Sequence, residues 1–278
     1  MSDCYGGDCE QDCDDGLHLH GEYLCGKFYS YRGGRDGSAR MESVKTKATS
    51  GKKKVAVLHP FDAMHGTDTD GLIVGKKLGV GHKEDAHITA YHGTAPSVFM
   101  ELIELWQATG PKHAMEEITF LDVGAGKGRA MLLASELPFK KVVGIELNPE
   151  LAAVCRANME LWRGKAWCAV TLVESDVASY VLPEGPLMVY LFNPFGPPVL
   201  KQLIAKILRH ADAVDVLYVN HECDFVFDSY PRLKKMYSGS VELSPEDAAA
   251  DHRTILRDAK GIYASTGDEN CSIYRFEP

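Results

Sequence analysis

The sequence predicts an α/β fold built on a doubly wound, mostly parallel sheet. Apolar strand-like segments alternate with helical segments through the middle of the chain, and Asn148-Pro149 supplies a helix start, with a capping amide followed by a proline suited to the first helical position. Such alternation is typical of a parallel sheet covered by helices on both faces. The predicted strands are 118–123, 141–147, 168–174, 187–192 and 214–220, and the predicted helices are 127–137, 149–163 and 198–209.

A glycine-rich turn follows the first of these strands. It comprises Asp122-Val123-Gly124-Ala125-Gly126-Lys127-Gly128-Arg129. Because glycine lacks a Cβ, Gly124 and Gly126 allow the backbone to turn sharply and to approach a ligand closely. Gly128 is expected to let the next helix pack against the strand. The segment therefore predicts a turn that cradles a nucleotide.

The spacing of the glycines excludes two common nucleotide turns. A P-loop is excluded because Leu121 stands where its first glycine belongs and Gly128 stands where its Ser or Thr belongs. A dinucleotide fingerprint would need a third glycine where Arg129 lies. The remaining pattern, D-x-G-x-G-x-G, resembles the class I (seven-strand, Rossmann-like) S-adenosylmethionine (SAM)-dependent methyltransferases. The resemblance implies SAM as cofactor, bound by Asp122, Gly124, Ala125, Gly126 and Gly128.

Acidic residues at the ends of the next two strands extend this pattern. Glu146 lies 22 positions after Gly124, and a carboxylate at about this distance can accept hydrogen bonds from both ribose hydroxyls. Glu146 and the adjoining Leu147 are therefore predicted to contact the cofactor. Asp176 follows the third strand, where the family commonly has an acidic or polar residue near the adenine amino group. The alternative is that Glu146 and Asp176 are ordinary strand-end carboxylates.

A segment upstream of the glycine turn also resembles the family. Tyr91-His92-Gly93-Thr94-Ala95-Pro96-Ser97 leads into a predicted amphipathic helix at 98–107, which Thr94 or Ser97 is expected to cap. The segment is similar to the Tyr-x-Pro-like approach of seven-strand protein lysine methyltransferases, although several residues separate Tyr91 from Pro96. The resemblance implies that Tyr91 and Thr94 close over the methionine part of SAM.

The fourth predicted strand ends in Asn193-Pro194-Phe195-Gly196, at the edge of the sheet where ligands bind. This segment resembles the [Asn/Asp]-Pro-Pro-[Phe/Tyr] motif of methyltransferases that act on nitrogen, with one proline missing. An amide oxygen at Asn193 can accept N–H bonds and aim a nitrogen lone pair at a methyl group. Phe195 can stack on a planar acceptor or face a cation. Asn193, Pro194 and Phe195 are therefore the predicted catalytic residues, and Asn193 is also a predicted cofactor contact.

The sequence thus predicts a SAM-dependent methyltransferase, with an amine on a protein or a small molecule as the methyl acceptor. One alternative is a small-molecule O-methyltransferase in which His221, after the fifth predicted strand, is the general base. Another is a SAM-binding protein without catalytic activity.

A final antiparallel hairpin would complete the family's seven-stranded sheet. The strand candidates for this hairpin are 255–256 and 272–276.

Residues 1–53 differ from the rest of the chain. This acidic, glycine-rich and serine-rich segment contains little that could form a core, which predicts a disordered or loosely attached extension. It also contains Cys4, Cys9, Cys13, Cys25, His18 and His20. Their spacing lacks the C-x2-C pairs typical of zinc sites, so no metal site is predicted.

We expect a methyltransferase domain at 54–278, divided into a cap at 54–117 and a SAM-binding core at 118–278. Residues 55–58 could form a further strand.

The composition narrows the possible partners and locations. The formal net charge is -9, which gives no general affinity for a phosphate backbone, so nucleic acid is not expected as a partner. The sequence has neither an apolar window of about 18 residues nor a basic-then-apolar start, so membrane association is not expected. These observations predict a soluble, cytoplasmic protein.

Overall fold

The computed structural model describes residues 58–259 and 267–278. The first described elements are α1 (Pro60–His65), a short antiparallel pair formed by β1 (Leu72–Ile73) and β2 (Tyr91–His92), and α2 (Pro96–Ala108). The main sheet follows. Its strands are β3 (Thr119–Val123), β4 (Lys141–Glu146), β5 (Val170–Glu174), β6 (Leu187–Phe192), β7 (Val214–Val219), β8 (Leu233–Glu242) and β9 (Asp268–Phe276). The remaining helices are α3 (Arg129–Ser135), α4 (Pro149–Leu161), α5 (Pro197–Ile207), α6 (Asp224–Asp228) and α7 (Pro245–Ala259).

The spatial order of the main sheet is β5-β4-β3-β6-β7-β9-β8. Strands β3 to β7 are parallel, and β9 runs antiparallel to both of its neighbours. The predicted α/β class, with a mostly parallel seven-stranded sheet, is therefore confirmed. The chain direction across the sheet reverses between β3 and β6, and a reversal of this kind opens a crevice at the carboxyl ends of the strands.

Both faces of the sheet are covered, as the continuous apolar strands predict. In β3 the side chains alternate, so Phe120 packs in one core cluster with Phe99, Trp106 and Met131. Leu121 packs in the other cluster, which contains the apolar side of α5. Both side chains are fully buried. Burial on two faces holds the carboxyl ends of β3, β4 and β6 in fixed positions.

The predicted start of α4 is confirmed. Pro149 occupies the first turn, and the Asn148 side-chain oxygen accepts the backbone N–H groups of Glu150 and Leu151 at 2.9 and 3.0 Å. This cap satisfies two donors that the helix itself cannot pair. The other central elements agree with the predicted ones to within a few residues at their ends.

The predicted cap of α2 is wrong. Ala95 precedes the helix and makes no side-chain cap, and Pro96 begins it. The Ser97 N–H instead donates to the carboxylate of Asp247 at 2.9 Å, and the Thr94 hydroxyl pairs with that of Tyr190. A distant carboxylate has replaced the local cap because α7 packs close to the start of α2, a contact that local sequence cannot reveal.

The C-terminal region also differs from the prediction. Residues 255–256 lie inside α7, and the strand that pairs with β9 at the edge of the sheet is β8. α7 buries Ala250, Thr254 and Ile255, which share one helical face. β8 was missed because it is an edge strand with mostly exposed residues and carries little apolar periodicity.

Several predictions fall on residues outside the described ranges. These are the extension at 1–53 with its cysteines and histidines, and most of the possible strand at 55–58, of which Leu58 lies outside any helix or strand. Among the described residues, no three His, Cys, Asp or Glu side chains are grouped so as to hold a metal ion. None of the described helices is long and apolar enough to cross a membrane.

Candidate active site

A cleft lies at the carboxyl ends of β3, β4 and β6, where the strand order reverses. Most of the predicted site residues line it together, although they come from five separate stretches of sequence. The lining residues among them are Tyr91, Thr94, Asp122, Gly124, Ala125, Gly126, Glu146, Leu147, Asp176, Pro194 and Phe195. Gly128, Asn193 and His221 are not among the lining residues.

The glycine turn forms the floor of this cleft. Gly124 and Gly126 have φ angles of 79° and 55°, which L side chains rarely adopt. A Cβ on Gly124 would lie 2.5 Å from the Cβ of Pro194, and one on Gly126 would lie 2.4 Å from the Tyr91 ring. The absent side chains therefore allow the turn to fit between the upstream Tyr91 and the downstream Pro194.

Gly128 has a packing role that differs from the prediction. A Cβ at this position would lie 2.5 Å from the Sγ atom of Cys155, which belongs to α4. The glycine therefore lets the start of α3 approach α4, whereas the sequence predicted an approach to the strand. Its φ angle of 90° adds a second reason for glycine.

Glu146 ties the glycine turn to the end of β4. Its carboxylate accepts the N–H of Gly126 at 2.6 Å and the N–H of Asn148 at 2.7 Å. The side chain is 7% exposed, and burial raises its pKa. A carboxylate offers about four lone-pair positions, so the two backbone donors leave acceptor capacity for further hydroxyl groups.

Asp122 lies beside Glu146 at the end of β3. Burial, together with the negative charge of Glu146, raises the pKa of Asp122 to about 8. A backbone hydrogen bond from Met131 opposes this effect. At neutral pH, Asp122 is therefore protonated and can donate a hydrogen bond, and the negative charge of the pair resides on Glu146.

Asp176 lies on the far side of the cleft, just beyond β5. It accepts the N–H of Ala178 at 2.8 Å, and its second oxygen lies 3.7 Å from Nε2 of His82. Asp176 thus links the strand end to the loop that precedes β2. The residue lines the cleft on the β5 side of the sheet, and its predicted contact with the adenine amino group stays a prediction.

The segment around β2 covers the glycine turn. The Tyr91 hydroxyl donates to the carbonyl of Thr69 at 2.6 Å, which fixes its ring against Gly126. The Thr94 and Tyr190 hydroxyls are 2.6 Å apart. Tyr91 therefore lies against the glycine turn, and Thr94 lies against Tyr190 of β6; their predicted contact with the methionine part of SAM stays a prediction.

Arg129 has a structural role that the sequence did not predict. It is 3% exposed and donates to the Thr69 hydroxyl at 2.7 Å and to the carbonyl of Thr94 at 3.2 Å. Its guanidinium also lies 3.9 Å from Asp62 and over the Phe61 ring. Arg129 therefore binds the N-terminal loops to α3. The available sequence signal was a charged residue in an otherwise apolar helical segment.

Asn193 lies at the turn after β6 and is 3% exposed. Its φ angle is 42°, and its side-chain oxygen accepts the Tyr218 hydroxyl at 3.0 Å. Its backbone carbonyl accepts the Thr89 hydroxyl. These contacts hold the turn so that Pro194 and Phe195, and not the Asn193 amide, line the cleft.

His221 does not lie at the cleft, in contrast to the alternative that requires it as a base. Its Nδ1 contacts the Ser272 hydroxyl at 2.5 Å and lies 3.8 Å from Asp224. The histidine that lines the cleft is His92, at the end of β2. Its position depends on the pairing of β1 with β2, which the sequence did not predict.

No protein-family model matches the chain. The ribosomal protein L11 methyltransferase of Aquifex aeolicus (strain VF5) is 32% identical over 95 residues, which cover 34% of this chain and 37% of that protein. The match therefore spans little more than a third of the curated relative.

Solved structures with a similar fold include a ribosomal protein L11 methylase from Lactobacillus delbrueckii subsp. bulgaricus. It is 13% identical, with a TM-score of 0.40 over 64% of this chain and 79% of its own. Another is the Pyrococcus abyssi tRNA (uracil-54, C5)-methyltransferase in complex with S-adenosyl-L-homocysteine (SAH), which is 10% identical. Its TM-score is 0.41 over 63% of this chain and 38% of its own. At this level of similarity neither structure identifies an acceptor.

The strand order supplies the remaining finding. The order in which the chain adds its five parallel strands reverses at β3, the last strand in sequence inserts antiparallel beside β7, and a glycine turn follows β3. Together with the sequence match, this arrangement shows that the chain has the class I SAM-dependent methyltransferase fold.

Proposed function

We propose that this protein transfers a methyl group from SAM to an amine on a protein or a small molecule. The observation that carries the proposal is the shared cleft. The glycine turn with Glu146 forms one part of it, and Pro194 and Phe195 form the edge beside it. The cofactor-binding elements and the strand end that resembles an acceptor motif therefore meet in one place.

The residues of the cleft fit the cofactor that the fold implies. Glu146 retains acceptor capacity for two ribose hydroxyls, and the carboxylate of Asp176, which also lines the cleft, would accept a hydrogen bond from an amino group. Gly124 is exposed, both Gly124 and Gly126 line the cleft, and Tyr91 covers Gly126. When bound, SAM supplies an electrophilic methyl group on a sulfonium sulfur.

The acceptor side of the cleft has the character needed to orient an amine. Phe195 lies in the wall, where an aromatic face attracts a cation or stacks on a planar group. Asn193 fixes the turn through Tyr218 and Thr89, so its contribution is to position Pro194 and Phe195. Precise placement of reacting atoms is itself a large source of rate acceleration.

The alternatives differ in what the cleft must supply. An O-methyltransferase that uses His221 is less favoured, because His221 contacts Ser272 and does not line the cleft. A SAM-binding protein without activity would bind the cofactor and transfer nothing. Nucleic acid also stays open as an acceptor, because the similar proteins are named for both ribosomal protein and tRNA.

Two measurements test the proposal. Calorimetric titration should show binding of SAM and SAH to the full chain, and absence of binding would contradict the cofactor assignment. A cell lysate incubated with the protein and SAM labelled in its methyl group should then yield a labelled product. Separation into protein, RNA and small-molecule fractions identifies the acceptor class, and label confined to RNA would contradict the proposed amine on a protein or a small molecule.

A further inference from the structure

His92 occupies the acceptor side of the cleft. It lines the cleft at the end of β2, and its ring centroid lies 6.3 Å from that of Phe192 at an interplanar angle of 62°. Phe192 is the last residue of β6 and directly precedes the Asn193-Pro194-Phe195 turn. The imidazole therefore lies beside the strand end at which we place the methyl acceptor.

A buried carboxylate stands behind this imidazole. Nε2 of His92 lies 3.8 Å from Oδ1 of Asp251, which belongs to α7 and is 4% exposed. His92 lines the cleft and Asp251 does not. Burial raises the pKa of Asp251, and the charges of His92 and Arg129 oppose that shift. Asp247, Asp70 and Glu269 are the further charged groups that interact with Asp251.

Three carboxyl groups that line the cleft, those of Asp122, Glu146 and Asp176, are poorly suited to take up a proton from the acceptor. Asp122 is protonated near neutral pH, since its pKa is raised to about 8. Glu146 is held by two backbone N–H groups, and Asp176 lies beyond β5, three positions across the sheet from β6. Imidazole is the side chain whose ordinary pKa lies closest to neutrality.

We propose that His92 is the general base of methyl transfer and that Asp251 is the residue that positions it. This inference rests on the proposed function and assigns a role to a residue outside both the glycine turn and the turn after β6. Nε2 is the nitrogen that lies 3.8 Å from Asp251, so the proposal assigns the incoming proton to Nδ1.

The step is balanced as follows. The lone pair of the acceptor nitrogen forms a bond to the methyl carbon, and the bond between that carbon and sulfur breaks with its electron pair remaining on sulfur. The lone pair on nitrogen is available because the acceptor ammonium has first lost a proton to Nδ1 of His92. Asp251 pairs with the imidazolium until the proton passes to solvent.

The experiment compares the full chain with His92→Gln, Asp251→Asn and a matched control. The control is His113→Gln, because His113 also pairs with a carboxylate, that of Glu117 at 3.2 Å, but precedes β3 at the opposite end of the sheet. Three properties are measured: the affinity for SAH, the turnover against pH on the labelled acceptor fraction, and the modification of each histidine by diethyl pyrocarbonate with and without SAH.

His92→Gln should lower turnover by about 100-fold or more, the range expected for loss of a general base, and should remove the rise of turnover with pH. Asp251→Asn should lower turnover by about 10-fold. Both variants should bind SAH as the unmodified chain does. SAH should protect His92 from diethyl pyrocarbonate, and His113 should react equally in both conditions.

Two results would overturn the assignment alone: turnover of His92→Gln within about threefold of the unmodified chain, or no protection of His92 by SAH. Failure of the proposed function has a different signature. If the unmodified chain does not bind SAH, or binds it and labels no fraction, the transferase proposal fails and the role of His92 fails with it.

Discussion

Replacement of Glu146 by glutamine tests how the cleft recognises its cofactor. Glu146 accepts the N–H groups of Gly126 and Asn148 at 2.6 and 2.7 Å, one on each oxygen. Glutamine has one acceptor oxygen, so its NH2 group must face one of these backbone donors. A hydrogen bond to a charged group contributes about 1.5 to 3 kcal/mol. The variant loses one such bond to the backbone. It also loses the negative charge that strengthens the hydrogen bonds from the ribose hydroxyls.

Loss of one charge-assisted bond to a ribose hydroxyl should lower the affinity for SAM by about 1.5 to 3 kcal/mol, which corresponds to about 10- to 150-fold. Stability should change less, because removing a buried carboxylate also removes the desolvation that raises the pKa of Glu146. Isothermal titration calorimetry measures the affinity, and denaturant unfolding measures the stability.

The matched control is Glu174→Gln. Glu174 lies directly beside Glu146 in the pairing of β4 with β5, but it is exposed and pairs with Arg156 at 2.9 Å. The Glu174→Gln variant should bind SAM with the same affinity as the unmodified chain. Equal affinity for SAM in Glu146→Gln and the unmodified chain would refute the assignment of Glu146 to the ribose hydroxyls.

Four further predictions follow from the described contacts and the composition. The pKa of Asp122 is raised to about 8 in the folded state, so ionisation of this carboxyl opposes folding. Its contribution to stability is therefore complete below about pH 4 and is lost as the pH rises towards 8. In denaturant titrations between pH 5 and 8, the unmodified chain should lose up to about 4 kcal/mol relative to Asp122→Asn, and a constant difference between the two proteins would contradict this. Arg129→Met should lower the free energy of unfolding by about 3 to 5 kcal/mol, since Asp62 and the carbonyl of Thr94 lose a buried partner, and a loss below about 1 kcal/mol in the same assay would argue against that role. Asn193→Ala should lower turnover by about 10 to 100-fold with little effect on SAM affinity, and unchanged turnover would remove it from the positioning of the turn. Deletion of residues 1–53 should leave the melting temperature and SAM affinity nearly unchanged, whereas unfolding, or loss of stoichiometric zinc, would show that the segment belongs to the folded protein.

The central sheet and the glycine turn could be predicted because their signals are local. Continuous apolar strands, the cap at Asn148 and glycines at three alternate positions each depend on neighbours within a few residues. Glu146 could be predicted for the same reason. A carboxylate at the end of a parallel strand lies at the edge of the sheet where ligands bind, and this position does not depend on distant parts of the chain. The edge strand β8 carried no such signal, because an exposed strand needs little apolar periodicity.

The sequence by itself thus determined the class of fold, the order of the central elements and the candidate cofactor residues. Tertiary structure decided which polar groups meet at the cleft. It directed Asn193 to Tyr218, kept His221 away from the cleft wall and brought His92 and Asp251 together across 159 positions of sequence. Contacts of this kind depend on where two distant elements pack, and side chains far apart in sequence become neighbours only once the whole core has formed.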